Sequence, residues 1–246
     1  MIKNYKIILQ YEGTRYNGWQ RQGNTKNTIQ EKVENVVSLL AGKPIEVFAS
    51  GRTDAGTHAL NQVANFHIDT KLSAIEIMDY INRYLPEDIA VTHIEEADLR
   101  FHSRLNAKRK TYCYRLQKGK IKNVFERKYI AQYPESLDVD AMKRASLDLI
   151  GKHNFKSFCA NNKMKKSTER TIYSIEIEEL PLEIRFTFCG SGFLHHMVRI
   201  MVGTLCEIGC GLRSADSIPE IIKGEKRELA GETMPSKGLI LMNVEY

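Results

Sequence analysis

A chain of 246 residues, 42% hydrophobic and 27% charged, is long enough to bury a core, too apolar for disorder, and the size of one large domain or two small ones. Its net charge is +6, and its longest stretch without Asp, Glu, Lys or Arg, Ala55 to Ile68, is too short and too polar for a membrane span of about 20 apolar residues. Five cysteines (Cys113, Cys159, Cys189, Cys206, Cys210) form no C-x-x-C pair and the first residues lack a signal-peptide core, so a reducing cytoplasm is expected rather than a disulfide framework or a zinc site.

Tyr5, Ile7, Leu9 and Tyr11 alternate with mostly polar residues and predict a strand with one buried face. Thr28-Ile29-Gln30-Glu31 has the form of a capping box. Val33, Val36, Val37 and Leu40 follow at helical spacing, and Gly42 and Pro44 end the helix. Ile45, Val47 and Ala49 predict a second strand, and Gly51 to Gly56 a turn. Ala64, Phe66 and Ile68 predict a third strand. Ser73-Ala74-Ile75-Glu76 opens a second helix, stopped by Leu85-Pro86, and Ile89 to Ile94 is a fourth strand. The order β-α-β-β-α-β is that of a ferredoxin-like split unit.

The second half repeats the theme loosely. Lys110 to Leu116 is a strand, and Tyr129 to Tyr133 is a candidate to pair with it. A helix face runs through Met142, Ala145, Leu149 and Ile150. Strands follow at Thr171 to Ile177 and Glu183 to Cys189, then an apolar helix from Leu194 to Ile208, a shorter helix from Ser214 to Lys223, and a strand from Gly238 to Glu245. The expected fold is α+β: two ferredoxin-like halves, 1–106 and 107–246, with sheets side by side around a basic cleft. The charge distribution motivates the cleft. Arg100 to Lys128 carries eleven basic residues and one acid, a segment charge of +10 that leaves −4 to the rest of the chain. Phe101, Tyr112, Tyr114 and Phe125 lie inside it. Basic side chains for the backbone and aromatic faces for bases make the composition of an RNA reader, although a solvated surface strand fits the charge run alone equally well.

Three residues could carry chemistry. Asp54 lies between two glycines in Gly51-Arg52-Thr53-Asp54-Ala55-Gly56. A lone Asp in such a turn usually caps its own backbone. Arg199 sits in a helix with almost no polar face, where a charge needs a buried partner, and the acids of that half (Glu176, Glu178, Glu179, Glu183, Asp216) read as exposed. Asp54 is the partner that would also explain the glycine turn. A carboxylate against a guanidinium keeps its charge, which suits a nucleophile or base and not a general acid. Tyr112 and Tyr114 share one strand face, placed either to stack on a base or to fill the core. His195 and His196, if helical, diverge by about 100° and do not easily share a metal ion.

Together the motifs resemble the tRNA pseudouridine synthase A family. They are Gly18-Trp19-Gln20, Thr28-Ile29-Gln30, Ser50 to Gly56 with His58-Ala59, Gln62-Val63-Ala64, Asn82 before Leu85-Pro86, Phe101-His102 with Arg104, and Lys110 to Tyr114. Further on come Phe155 with Ser157-Phe158, Arg170-Thr171-Ile172, Gly192 to Arg199, Gly203-Thr204-Leu205, and Pro235 with Gly238-Leu239. They are collinear over nearly the whole chain. Thr57 departs from the pattern, which usually has valine there.

The resemblance implies isomerisation of uridine to pseudouridine at positions 38, 39 and 40 of the tRNA anticodon stem-loop, by a homodimer without metal or cofactor. Asp54 would be the nucleophile. Arg52 would enter the RNA and hold the flipped conformation, Tyr112 would stack on the target base, Arg199 would pair with Asp54, and Leu239 (or Leu241) would line the base pocket. RNA contacts are expected of Asn82, Phe101, His102 and Arg104, and of Lys163, Lys165, Lys166 and Arg170. The rival readings are a non-catalytic RNA-binding module on the same scaffold and a metal hydrolase using the histidines.

Overall fold

The structure, a computed structural model, describes residues 1–161 and 166–246. It divides into two compact units, Met1–Lys108 with Leu241–Tyr246, and Arg109–Ile240. The division falls two residues beyond the position expected from the sequence. The last six residues return to the first unit, a non-local pairing that local sequence pattern does not encode. Among the described residues, no helix is long and apolar enough to cross a membrane.

In the first unit, β1 (Lys3–Tyr11) is followed by α1 (Ile29–Ala41), β2 (Phe48–Ala49), β3 (His58–Ile68), α2 (Ala74–Tyr84) and β4 (Ile89–Ala97). β1 pairs antiparallel with β3 (Ile7 opposite Ala64) and with β4 (Ile7 opposite Ile94), and β2 pairs with β3. This is the expected split βαββαβ order, with the second strand reduced to two residues. Tyr5, Ile7, Leu9 and Tyr11 are all buried, as their alternation requires, and the helices cover that face with Ile29, Val33, Val37, Ile77 and Ile81. Ser73 and Glu76 form a complete capping box on α2. On α1 only the Thr28 half forms (its side chain accepts from the Glu31 N–H), because the Glu31 carboxylate is turned to Arg21 at 2.9 Å.

In the second unit, β5 (Arg109–Gln117) pairs antiparallel with β9 (Glu183–Gly190), β9 with β8 (Glu169–Glu179), and β8 with β7 (Gly151–Asn154). The short β6 (Ala131–Gln132) runs parallel to Leu116 and Gln117. α3 (Val139–Ser146) packs against α4 (Met197–Gly209), and α5 (Ile218–Gly224) precedes β10 (Leu239–Glu245). α4 begins three residues later than its apolar run predicts. His196 adopts a left-handed backbone, φ 62°, and so cannot continue a helix.

Candidate functional site

Asp54 lies in the connection between β2 and β3, half-buried. Its carboxylate stands on a turn fixed from both sides. The Thr53 carbonyl accepts from the Trp19 N–H at 3.0 Å, the Asp54 carbonyl from the Thr57 N–H at 3.1 Å, and the Gly56 N–H donates to the Tyr16 carbonyl at 3.3 Å. Gln62 reaches back from β3. Its amide donates to the Gly51 carbonyl at 3.0 Å, and its oxygen accepts from the Ser50 hydroxyl at 2.7 Å. Tyr11 and Thr53 share a buried hydroxyl–hydroxyl bond of 2.8 Å, and burial pushes the Tyr11 phenol up to about 12.

Two glycines make this frame possible. A Cβ on Gly18, at φ +85°, would stand 2.7 Å from the Thr53 carbonyl oxygen, and one on Gly13 would stand 2.0 Å from that of Thr57. The strand of backbone from residue 13 to 20 therefore lies directly against the Asp54 turn. Its far side is anchored on α1, where the Ile29 and Gln30 N–H groups donate to the Gly18 and Trp19 carbonyls at 3.1 and 3.0 Å. Sequence reasoning noted Gly18-Trp19-Gln20 and Gln62 as motifs but gave them no task, and Gly13 it missed.

Arg52 is exposed, and its Nε donates to Gln20 Oε1 at 2.8 Å. Asn82, expected on RNA, has its amide on β4. Nδ2 donates to the Val91 carbonyl at 2.8 Å, and Oδ1 accepts from the Val91 N–H at 2.7 Å. That side chain pins α2 to the sheet edge. The Phe101 ring packs at 5.1 Å from Tyr246, and His102 at 5.0 Å from Phe48, both half-buried, while Arg104 is exposed.

In the second unit, Tyr112 stands opposite Phe188, buried, with Phe193 edge-on at 5.1 Å. Tyr114 is a core residue, wholly buried, its hydroxyl donating to the Pro235 carbonyl at 2.8 Å, and burial raises its phenol strongly. Both tyrosines of that face are buried. Arg199 lies in the first turn of α4, half-buried, with its Nε donating to the Met234 carbonyl at 2.6 Å. Leu239, at the start of β10, is buried, as is Leu241. Arg170 is half-buried on β8, where burial draws its guanidinium below the ordinary value, and Lys166 is exposed. Lys163 and Lys165 lie outside the described residues.

Two expectations are corrected. The histidines do not diverge. They precede α4, and their rings stack with centroids 3.8 Å apart, because the positive φ of His196 replaces the helical rotation between neighbours. Glu183 is buried rather than exposed, taking Arg115 Nε and Nη2 at 2.9 and 2.7 Å. Part of the basic run is accordingly engaged by acids and a ring of the chain itself. Arg115 also meets Glu126, Lys118 meets Glu179, and Arg109 lies 4.9 Å above the Tyr173 ring.

A family model described as tRNA pseudouridine synthase matches residues 7–106 and 145–246. Asp54, Arg52, Arg199 and Leu239 fall within those segments, and Tyr112 falls between them. A tRNA pseudouridine synthase A 2 of Bacillus cereus is 45% identical over 245 residues, all of both chains. A tRNA pseudouridine synthase A of a Bacillus species is 44% identical, again over all of both chains. One of Limosilactobacillus reuteri is 43% identical over 98% of this chain and 96% of its own.

Proposed function

Because this chain belongs to the tRNA pseudouridine synthase family, we propose that it isomerises uridine to pseudouridine at positions 38, 39 and 40 of the tRNA anticodon stem-loop, with Asp54 as the nucleophile. The chain is an enzyme of the isomerase class. The observation that carries Asp54 is its frame: the Thr53 carbonyl, the Asp54 carbonyl and the Gly56 N–H are each held by another segment or by the turn itself. A carboxylate on such a support is positioned before substrate arrives, which is how orientation lowers a barrier.

The net change breaks the bond from C1′ to N1 of uracil and makes one from C1′ to C5. C5 loses its proton and N1 gains one, so atoms balance without an oxidant or an energy carrier. An ionised carboxylate can form an adduct at the sugar or at the base, or can take a proton from the sugar. The target base must leave its stack, at a cost of a few kcal/mol. Stacking on Tyr112, whose ring Phe193 braces edge-on, would offset about 1–3 kcal/mol of that. Arg52 would hold the opened RNA, Arg199 would pair with Asp54, and Leu239 would line the pocket for the base. Arg104, Lys166 and Arg170 are the cations proposed to meet phosphate, with two copies of the chain sharing one tRNA.

Asp54→Asn tests the assignment. It should lower pseudouridine formation by at least about 10³-fold, the scale of losing a reacting group, while tRNA binding stays within a few-fold. Retained turnover would overturn the role of Asp54.

A further inference from the structure

Arg52 does not hold its place alone. Its Nε donates to Gln20 Oε1 at 2.8 Å, Gln20 Nε2 donates to Gln30 Oε1 at 2.9 Å, and Gln30 Nε2 donates to Glu34 Oε1 at 2.9 Å. The far end of this chain is locked into the fold. Glu34 Oε1 also accepts from the Val47 N–H at 3.0 Å, and Gln30 Oε1 also accepts from the Arg21 N–H at 2.9 Å. Gln30 and Glu34 are only 7% and 6% exposed. The near end is an exposed arginine two residues from Asp54. A long, solvated arginine otherwise samples many rotamers, and ordering it on binding costs free energy.

We infer that Gln20 is a positioning residue. It extends a buried hydrogen-bond chain, Glu34–Gln30–Gln20, to the surface and presents the Arg52 guanidinium in one direction before RNA arrives. The polarity of the chain follows from the donors and acceptors. Glu34 can only accept, so Gln30 must turn its NH₂ inward and its oxygen outward. Gln20 must then give its NH₂ to Gln30, which leaves its oxygen for Arg52. The Gln20 amide accepts from the arginine with its oxygen and donates to the glutamine behind it with its NH₂. The inference rests on the role given to Arg52 under the proposed function.

Gln20 borders a cavity of about 850 Å³ lined also by Arg21, Gln30, Glu31 and Glu34, which leaves room for an unbranched substitute. Gln20→Met keeps the length and removes both polar atoms. It is expected to lower kcat about tenfold, the scale of one hydrogen bond to a charged group, with little change in KM for tRNA. In an Arg52→Ala background the same substitution should add no further loss, because the group it positions is gone. A Gln20→Met enzyme with unchanged kcat, or a loss that simply adds to that of Arg52→Ala, overturns the inference while leaving the reaction assignment intact. An Arg52→Ala enzyme as active as the parent removes the role of Arg52 and the inference with it. A measurement on the unsubstituted protein avoids any folding defect. The Arg52 Nε–Hε signal, identified by its loss in Arg52→Lys, should exchange with water more slowly than that of exposed Arg104. Equal exchange rates would refute the chain.

Discussion

Replacing Thr57 by valine should stabilise the protein. Thr57 is 1% exposed, and its Oγ1 is a buried side-chain oxygen with no hydrogen-bond partner among the described residues. Its backbone is tied into the Asp54 turn through its N–H, and the close approach of Gly13 to its carbonyl leaves the residue little freedom to turn the hydroxyl elsewhere. A buried hydroxyl without a partner costs about 1–3 kcal/mol. Valine has nearly the same shape, with a methyl in place of the hydroxyl, so most of that cost should be recovered. For a chain of this length 1 kcal/mol corresponds to about 2–4 °C, giving a rise in Tm of roughly 2–10 °C. Scanning calorimetry on the parent, Thr57→Val and Thr57→Ser checks it. Serine keeps the hydroxyl and loses the methyl, so it should melt below the parent. Pseudouridine formation by Thr57→Val should match the parent, because nothing in the turn's hydrogen bonding uses the hydroxyl. A valine variant that melts lower would show that the hydroxyl is satisfied and would refute the reasoning. The valine usual at this position in the family's pattern is the residue the packing favours.

Gly18→Ala should cost about 2–4 kcal/mol, from a left-handed backbone and a Cβ 2.7 Å from the Thr53 carbonyl oxygen. Activity should fall with it as the Asp54 turn is pushed aside, and a chemical denaturation curve beside an activity assay reads both. Asn82→Ala and Arg104→Ala should separate cleanly. The first should lower Tm by loosening α2 from β4 with tRNA affinity unchanged, and the second should weaken tRNA binding and reduce the salt slope by about one ion with Tm unchanged. An unchanged slope would remove Arg104 from the RNA face. Stability should decline at high pH. The fold holds the Tyr11 phenol neutral, raised from 10.0 to about 12, so its contribution is complete below pH 10 and is lost as pH rises through about 12. That is about 2–3 kcal/mol at most. Tyr16, Tyr114 and Tyr246 are shifted in the same direction by burial. Denaturant midpoints at pH 9 and above pH 11 check the sign.

What the sequence disclosed about this protein and what it withheld differ in kind. The strands of the first unit were legible because one face is buried and the other is not, which forces period-2 alternation on β1 whatever the rest of the chain does. Asp54 stands out as the proposed nucleophile because few residue types can serve as one, and its flanking glycines restrict the setting further. The frame around Asp54 was not legible. Gly13 meets Thr57, Gly18 meets Thr53, and Gln20 meets Arg52 across gaps of tens of residues, and a glycine or glutamine gives no local sign of which distant backbone it must approach. The same reason explains the start of α4. Leu194, His195 and His196 continue the apolar run of the helix, and only the φ of 62° at His196 shows that they lie outside it. It also explains Glu183, which reads as an exposed acid on a strand until Arg115 on the neighbouring strand is seen to claim it. Asn82 is a further case: its donor and acceptor match one backbone N–H and C=O pair of β4, a contact that its residue type does not announce. The proposed nucleophile is therefore marked in the sequence by its chemistry, whereas the groups that hold its turn are marked only by geometry. That is why substitutions at Gln20 and Gly18, not at Asp54 alone, discriminate a positioned catalyst from an aspartate that merely caps a turn.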